Sequence, residues 1–244
     1  MLVLRSVVFN VLFYALLVGM LVIGIPLIRA PEKVVKAYAA LWGRLSLGLL
    51  RAICGTRLDY RGVERIPPGG LIVAAKHQSF LDIMVLLPLA PSFTYVMKHE
   101  LSLIPLFGPL MLRGGMIAID RSRGRHIMGD LNVRVKQVVE AGQQLIIFPE
   151  GTRRPPGAEP LYKSGVSHLY TATGATCLPV ALNTGVFWPR QSFLRYPGTL
   201  VIDVLDPIEP GLSKSAFQTR LQDEIEAASD RQLAVLRASG EGRL

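Results

Sequence analysis

The sequence predicts an α/β fold: a mainly parallel mixed sheet flanked by helices, preceded by an N-terminal hydrophobic helical membrane motif. Three observations predict it. Beyond residue 55, short apolar runs alternate with helical patterns, the alternation expected of a parallel sheet covered by helices. From Ser6 to Ile28 no residue is charged. Polar clusters stand immediately after most of the apolar runs, where open parallel sheets place their ligands. The expected division is residues 1–53 as membrane-associated helices and 54–244 as an α/β domain ending in an amphipathic helix at about 214–236.

The uncharged run is bracketed by Arg5 and Arg29. As a helix it extends roughly 35 Å, enough to cross a hydrocarbon core of about 30 Å. Asn10, Gly19, Gly24 and Pro26 are tolerable interruptions. A cleaved signal peptide is the alternative, and "AYAA" at 37–40 supplies a small-residue pattern. However, the run exceeds an ordinary signal core, and Arg29, Glu32, Lys33 and Lys36 separate it from that site. The next segment, about 32–53, has helical spacing, with Val34, Val35, Tyr38, Leu41, Trp42, Leu45 and Leu49 on one stripe. It suits a helix packed on the domain, a helix in the headgroup layer, or both. Positive charge after the run (Arg29, Lys33, Lys36, Arg44) outweighs Arg5 before it, which predicts a membrane protein with the bulk of the chain on the cytoplasmic side if the first segment spans. A helix pair held in one leaflet remains open.

The whole chain of 244 residues is 50% hydrophobic, with a net charge of +9 and a pI near 9.9. Such a balance favours anionic partners: anionic lipid, phosphorylated substrates or nucleic acid. No zinc-finger spacing or interleaving of aromatic and basic residues is present, which disfavours nucleic acid. Cys54 and Cys177 lie far apart, making neither a disulfide framework nor a metal motif, and they fit a reducing compartment.

The expected strands are 71–75, 93–97, 116–120, 145–149, 177–182 and 199–205. The expected helices are 79–89, 102–112, 130–141 with Asp130 as its N-cap, 165–173, and 214–236. Immediately after the strands stand Lys76 and His77, Lys98, Asp120 and Arg121, the run Glu150–Arg154, and Asn183. Strand ends are always polar, so each cluster alone says little. Together they mark one edge, provided that the strands are parallel.

His77 and Asp82 sit five residues apart, about 140° round a helix, so they cannot share one helical face. They can meet if His77 lies in the turn and Asp82 in the first helical turn. Ser79 to Asp82 reads S-x-x-D before the apolar "IMVLL", a capping-box-like start with Ser79 as N-cap and Asp82 at N3. Two compatible readings follow: Asp82 simply caps the helix and favours its dipole, with His77 an ordinary loop residue, which the spacing alone favours, or Asp82 also holds one imidazole nitrogen so that the other takes a proton.

Four blocks together resemble the 1-acylglycerol-3-phosphate acyltransferase family of glycerolipid acyltransferases. "HQSFLD" (77–82) looks like its H-x(4)-D block and "GGMIAIDR" (114–121) like its G-x-I-x-I-D-R block. "FPEGTR" (148–153) matches its third block, and "CLPVAL" (177–182) resembles its fourth. "MKHEL" (97–101) and "LYKSG" (161–165) resemble accessory stretches. Order and spacing agree over roughly residues 60–185. H-x(4)-D alone is unspecific; joined to FPEGTR in this order it is a strong signature. There are three departures: Lys76 where asparagine is frequent, Ala118 for a larger residue, and His99 where a second basic residue is common.

The resemblance implies acyl transfer from a thioester of coenzyme A or acyl carrier protein to the free hydroxyl of a lysophospholipid. The foremost acceptor is lysophosphatidic acid, giving phosphatidic acid; other lysolipids, amino-acid-headed ones included, stay open. His77 would be the general base and Asp82 its orienting carboxylate, with direct attack and no acyl-enzyme. A thiolate leaves readily, so neither metal nor redox cofactor is required. Arg121 and Arg153 would hold the acceptor phosphate, which suits the planar guanidinium fork. Glu150, Gly151 and Thr152 would shape the acceptor pocket, Glu150 through a glycerol or backbone group. Lys98 and Lys163 would be further anion contacts, and the apolar run 101–112 part of an acyl-chain groove.

Two rivals carry less support. A membrane-anchored esterase wants a G-x-S-x-G elbow, and "GVSHL" at 165–169 lacks the closing glycine. A non-catalytic lipid-binding protein has no use for His77 and Asp82. "HELSL" at 99–103 is not the H-E-x-x-H of metal hydrolases, and no phosphate-binding G-x-x-x-x-G-K-[ST] loop occurs.

Overall fold

The computed structural model describes residues 1–120 and 126–242. In chain order its elements are helices α1 (Leu2–Ile23) and α2 (Glu32–Leu49), strands β1 (Thr56–Arg61) and β2 (Leu71–Ala75), α3 (Leu81–Leu86), β3 (Phe93–Lys98), α4 (His99–Ser102), α5 (Phe107–Arg113), β4 (Ile117–Ile119), α6 (His126–Glu140), β5 (Gln144–Ile147), α7 (Gly165–Thr173), β6 (Cys177–Leu182), α8 (Thr184–Phe187), β7 (Gly198–Val204) and α9 (Lys214–Ser239).

The strands form a seven-stranded sheet in the order β1-β7-β6-β2-β5-β3-β4. From β6 to β4 every pairing is parallel; β7 runs antiparallel to β6, and β1 parallel to β7. The fold is therefore the mainly parallel mixed sheet expected, and β2 to β6 end on one edge. Central β2 is buried at all five positions, as befits an apolar strand covered on both faces. Val73 and Ala75 pack in one apolar cluster with α3 and Phe9 and Phe13 of α1. Ile72 and Ala74 pack on the other face with Leu169 of α7 and with Phe217, Leu221 and Ile225 of α9, the i, i+4, i+8 stripe read from the sequence.

Three expectations need correction. β1 was not anticipated: its six residues include Arg57, Asp59 and Arg61, and it survives as an edge strand because Leu58 and Tyr60 alternate with them and pack on the sheet. The single helix expected at 102–112 is two, α4 and α5, since Pro105 interrupts it and Leu106 turns the chain at φ 63°. Asp130 does not cap a helix, because α6 already begins at His126.

α1 is uncharged except for Arg5 and carries two faces. Ser6, Phe9, Phe13 and Met20 are buried, while Val3, Val7, Val11, Tyr14, Val18 and Val22 are exposed. At about 1.5 Å per residue it is long enough to cross a membrane by length and composition. Its buried face docks on the domain: Phe13 meets Trp188 at 5.2 Å and Phe80 at 6.1 Å between ring centroids. Asn10 and Ser6 are part of the seam. Ser6 Oγ accepts from the Arg195 amide at 2.9 Å, and Asn10 Oδ1 accepts from the Arg195 guanidinium at 2.8 Å. α2 packs beside it, and Gly43 lets it approach closely, since a Cβ there would lie 2.6 Å from Leu87 Cδ1. Buried Lys36 ties α2 to the sheet through Gln143 (2.9 Å) and to Glu32 (2.6 Å).

Candidate active site

The site begins with the period-two alternation of β2 carried past its end. The Lys76 amide donates to Val180 O at 3.0 Å, so the ladder with β6 continues one residue further. Successive side chains of an extended segment point to opposite faces. Lys76 follows Ala74 toward α9, where its Nζ lies 2.5 Å from Glu226 Oε1; His77 follows Ala75 toward α3. One residue of difference sends an ammonium under the sheet and an imidazole into the groove.

His77 and Asp82 touch. Nδ1 lies 2.8 Å from Asp82 Oδ2. The same oxygen accepts from the amides of Gln78 (2.7 Å) and Ser79 (2.9 Å), and the other oxygen accepts from the hydroxyl of Thr184. Asp82 is fully buried. A carboxylate that only accepts leaves Nδ1 as the donor and Nε2 with a free lone pair. The ring stacks on Phe148, centroids 3.9 Å apart and planes 15° from parallel. Contact with Phe148 and the bond to Asp82 fix its orientation.

The capping-box expectation holds in its acidic half. Asp82 reaches back to the Ser79 amide as a box requires, but α3 starts at Leu81, and Ser79 Oγ accepts from the Leu81 amide at 3.1 Å and donates to Trp188 O at 2.7 Å. One Asp82 oxygen serves both the helix start and the histidine.

The His77 backbone is pinned on both sides. Its amide donates to Glu150 Oε2 at 2.8 Å, and its carbonyl accepts from the Arg154 amide at 2.8 Å. Glu150 is therefore not a wall of the acceptor pocket. It is fully buried behind His77, where Lys76 Nζ pairs with its other oxygen at 3.0 Å. Of the two contacts expected of it, a glycerol or a backbone group, the structure shows the backbone one. Burial pushes its carboxyl above the ordinary range, partly offset by Lys76 and the His77 amide. Gly151 sits at φ 64° and a Cβ there would crowd Lys163 Cδ at 3.1 Å, so glycine suits this turn on two counts.

A groove of about 720 Å³ runs past His77, a volume within the usual range for small-molecule sites. Part of its lining is apolar, with Leu17 and Met20 of α1, Tyr38 and Trp42 of α2, and Leu110 and Met111 of α5. Another part is cationic, with Lys98, Arg153, Lys163 and Arg190. Gly151 and Thr152 also line it. Of the residues expected to contact substrate, Lys98, Gly151, Thr152, Arg153 and Lys163 thus share one cavity with His77, and Glu150 stands behind it. Arg121 lies outside the described residues.

Three residues, and the role of a fourth, escape the sequence reading. Thr184 lies two positions beyond the fourth block. Arg190 comes from the segment after α8 and is joined to the third block by a bond from its Nη1 to Arg153 O at 3.1 Å. Glu226 is distant in sequence. Lys76 stands in the polar cluster after β2 and departs from the family pattern, and the alternation of β2 indicates its face, but its pairing with Glu150 and Glu226 has no local signal.

A profile of the family described as Acyltransferase matches residues 57–183. Over 161 residues the chain is 34% identical to the 1-acyl-sn-glycerol-3-phosphate acyltransferase of Pseudomonas aeruginosa, covering 66% of this chain and 63% of that protein. Over 183 residues it is 29% identical to a chloroplastic 1-acyl-sn-glycerol-3-phosphate acyltransferase of Brassica napus, covering 72% of this chain and 52% of that protein. The chain thus spans between half and two thirds of the length of these relatives. In fold it is similar to the crystal structure of the 1-acyl-sn-glycerophosphate (LPA) acyltransferase PlsC from Thermotoga maritima, with a TM-score of 0.79, 21% identity, and coverage of 96% of this chain and 98% of that one.

Proposed function

Because this chain belongs to the acyltransferase family, we propose that it transfers a fatty acyl group from an acyl thioester to the free hydroxyl of a lysophospholipid, foremost 1-acylglycerol 3-phosphate, giving phosphatidic acid. The observation that carries this reading is the His77–Asp82 pair on a groove whose lining combines apolar side chains of α1, α2 and α5 with Lys98, Arg153, Lys163 and Arg190. A lysophospholipid has the same polarity, with an acyl tail and a phosphate separated by a glycerol hydroxyl. The names of the relatives point to the same acceptor.

The chemistry follows from the geometry. The acceptor hydroxyl lies against Nε2, which takes its proton as the oxygen attacks the thioester carbonyl. Asp82 stabilises the imidazolium that forms. The tetrahedral intermediate collapses, the carbon–sulfur bond breaks, and the imidazolium returns the proton to the departing thiolate. The acyl chain lies along the apolar part of the groove. Arg153, Lys98 and Lys163 hold the acceptor phosphate, together with Arg190 and with Arg121, which the resemblance also assigns to it. The donor is acyl-coenzyme A or acyl carrier protein, and the reaction uses no metal or redox cofactor.

The chain acts at a membrane, with its catalytic domain on the cytoplasmic side. The exposed apolar stripe of α1 supports membrane contact, and the excess of basic residues after it supports that side. α1 contributes Leu17 and Met20 to the groove as well as the exposed stripe, which supports entry of a lysolipid from the bilayer along this helix.

The reading is tested with membranes carrying the protein, supplied with labelled acyl-coenzyme A or acyl carrier protein and a panel of lysolipids. Labelled phosphatidic acid formed from lysophosphatidic acid, and absent with His77→Ala, is the expected result. Transfer to water alone, or a burst of acyl-enzyme, overturns it in favour of an esterase.

A further inference from the structure

α9 lies wholly beyond the residues that match the family profile, yet it reaches the back of the site. Glu226 Oε1 accepts from Lys76 Nζ at 2.5 Å and from Tyr162 Oη at 2.9 Å. These two partners lead to different parts of the groove. Lys76 also pairs with Glu150, whose second oxygen holds the His77 amide. Tyr162 precedes Lys163, which lines the groove and whose amide donates to Pro149 O at 2.9 Å.

We propose that Glu226 is a positioning residue of the acyltransferase site, a carboxylate on α9 that holds the His77 turn through Lys76 and Glu150, and Lys163 through Tyr162. The inference rests on His77 being the general base.

The physical reason is the crowding of charge under the sheet. Lys76 is 3% exposed and Glu150 fully buried, so neither can be left unpaired without a large desolvation cost. Lys76 sits between two carboxylates. The Glu226 contact is short, and the Glu150 contact is an off-line ion pair at 3.0 Å. That division leaves the Glu150 carboxylate aligned on the His77 amide. Without Glu226 the ammonium has only Glu150 and draws that carboxylate round, releasing the amide. His77 would keep its bond to Asp82, but its backbone would shift relative to the groove. Such displacements, on the order of 1 Å, lower turnover by up to ~10²-fold without removing a catalytic group.

The test uses the full chain in membranes, with Glu226→Leu, Glu226→Gln and His77→Ala compared well below each variant's unfolding midpoint. Glu226→Leu is expected to lower kcat about tenfold or more while KM for lysophosphatidic acid and acyl thioester moves less than about threefold. Glu226→Gln, whose amide oxygen still accepts from Lys76 and Tyr162, is expected to stay within about threefold of the parent. Should Glu226→Leu not accumulate, Glu226→Asp keeps the charge but withdraws it by one methylene, and the same kcat loss is expected. A Glu226→Leu or Glu226→Asp protein with the parent's kcat overturns the proposal. So does a loss in Glu226→Gln equal to that in Glu226→Leu, or a deficit that vanishes on cooling and so reports stability alone. If His77→Ala retains turnover, the general-base reading falls and takes this inference with it. An inactive His77→Ala beside a fully active Glu226→Leu sinks only the role of Glu226.

Discussion

Asp82 Oδ2 gathers the ring nitrogen of His77 and the amides of Gln78 and Ser79 within 2.7–2.9 Å, so one buried oxygen joins the imidazole, the turn that presents it and the helix that follows. Thr184, at the start of α8 just past the end of β6, holds the second oxygen. Orientation of His77 is thereby set by groups from two separate segments of the chain.

This arrangement makes Asp82 irreplaceable by its amide. Asn would present an N–H to one of the donors now served and favour the wrong imidazole tautomer, so Asp82→Asn should lower kcat by about 10²–10⁴ with little change in KM. Steady-state kinetics on membranes decide it; a kcat within a few-fold of the parent contradicts the role.

Thr184 should behave as a positioning side chain. Thr184→Val leaves a buried carboxylate oxygen without its donor, which costs about 1–3 kcal/mol of stability, and it should also lower kcat. Thr184→Ser keeps the hydroxyl and should retain activity. Thermal melts and kinetics on the two variants separate the outcomes, and equal behaviour of Val and Ser removes Thr184 from the account.

The cationic part of the groove should recognise phosphate. Arg153→Ala and Arg190→Ala are each expected to raise KM for lysophosphatidic acid by about tenfold, the scale of one charge-assisted contact. The same changes should leave slow transfer to monoacylglycerol, which lacks the phosphate, nearly untouched. Equal losses with both acceptors would mean that these arginines serve the fold or the donor instead.

Chain-length preference should follow the apolar part of the groove. Met111 lines it from α5, so Met111→Trp fills space that an extended chain would use. The ratio of kcat/KM for long over short acyl donors should fall about tenfold, the discrimination available to a few displaced methylenes. A variant that lowers all chain lengths in parallel places the donor chain elsewhere.

The α2 anchor should respond to acid. Lys36 beside Glu32 holds the Glu32 carboxyl below its ordinary 4.5, opposed by partial burial. A depressed folded-state pKa contributes stability that is present above 4.5 and is lost as pH falls through the folded value. The melting temperature of the parent should therefore exceed that of Glu32→Gln at pH 6 and converge on it as pH drops below 4.5. A constant gap across that window would exclude the linkage.

Local pattern was enough for much of this protein. The uncharged run of α1, the apolar strands, the stripe of α9 and the order of the H-x(4)-D and FPEGTR blocks all express short-range chemistry: hydropathy, period, and residues adjacent in the chain. So the family, the sheet and the candidate base with its carboxylate were legible beforehand. The break at Pro105 is a local signal that the apolar spacing of 102–112 masks; β1 is hidden by its charges, which an edge strand tolerates. What only the tertiary structure decided is which distant groups meet. The role of Glu150 changed from a pocket wall to a buried anchor because Lys76 passes under the sheet to meet it. Thr184 and Arg190 entered the site because β6 runs parallel to β2 and delivers its end, and the segment that follows it, to the same edge; Glu226 entered because α9 covers the sheet face toward which Lys76 points. Pairings at separations of 100 residues or more leave no periodicity and no local motif, since they are set by strand order and by the need of each buried charge to find a partner.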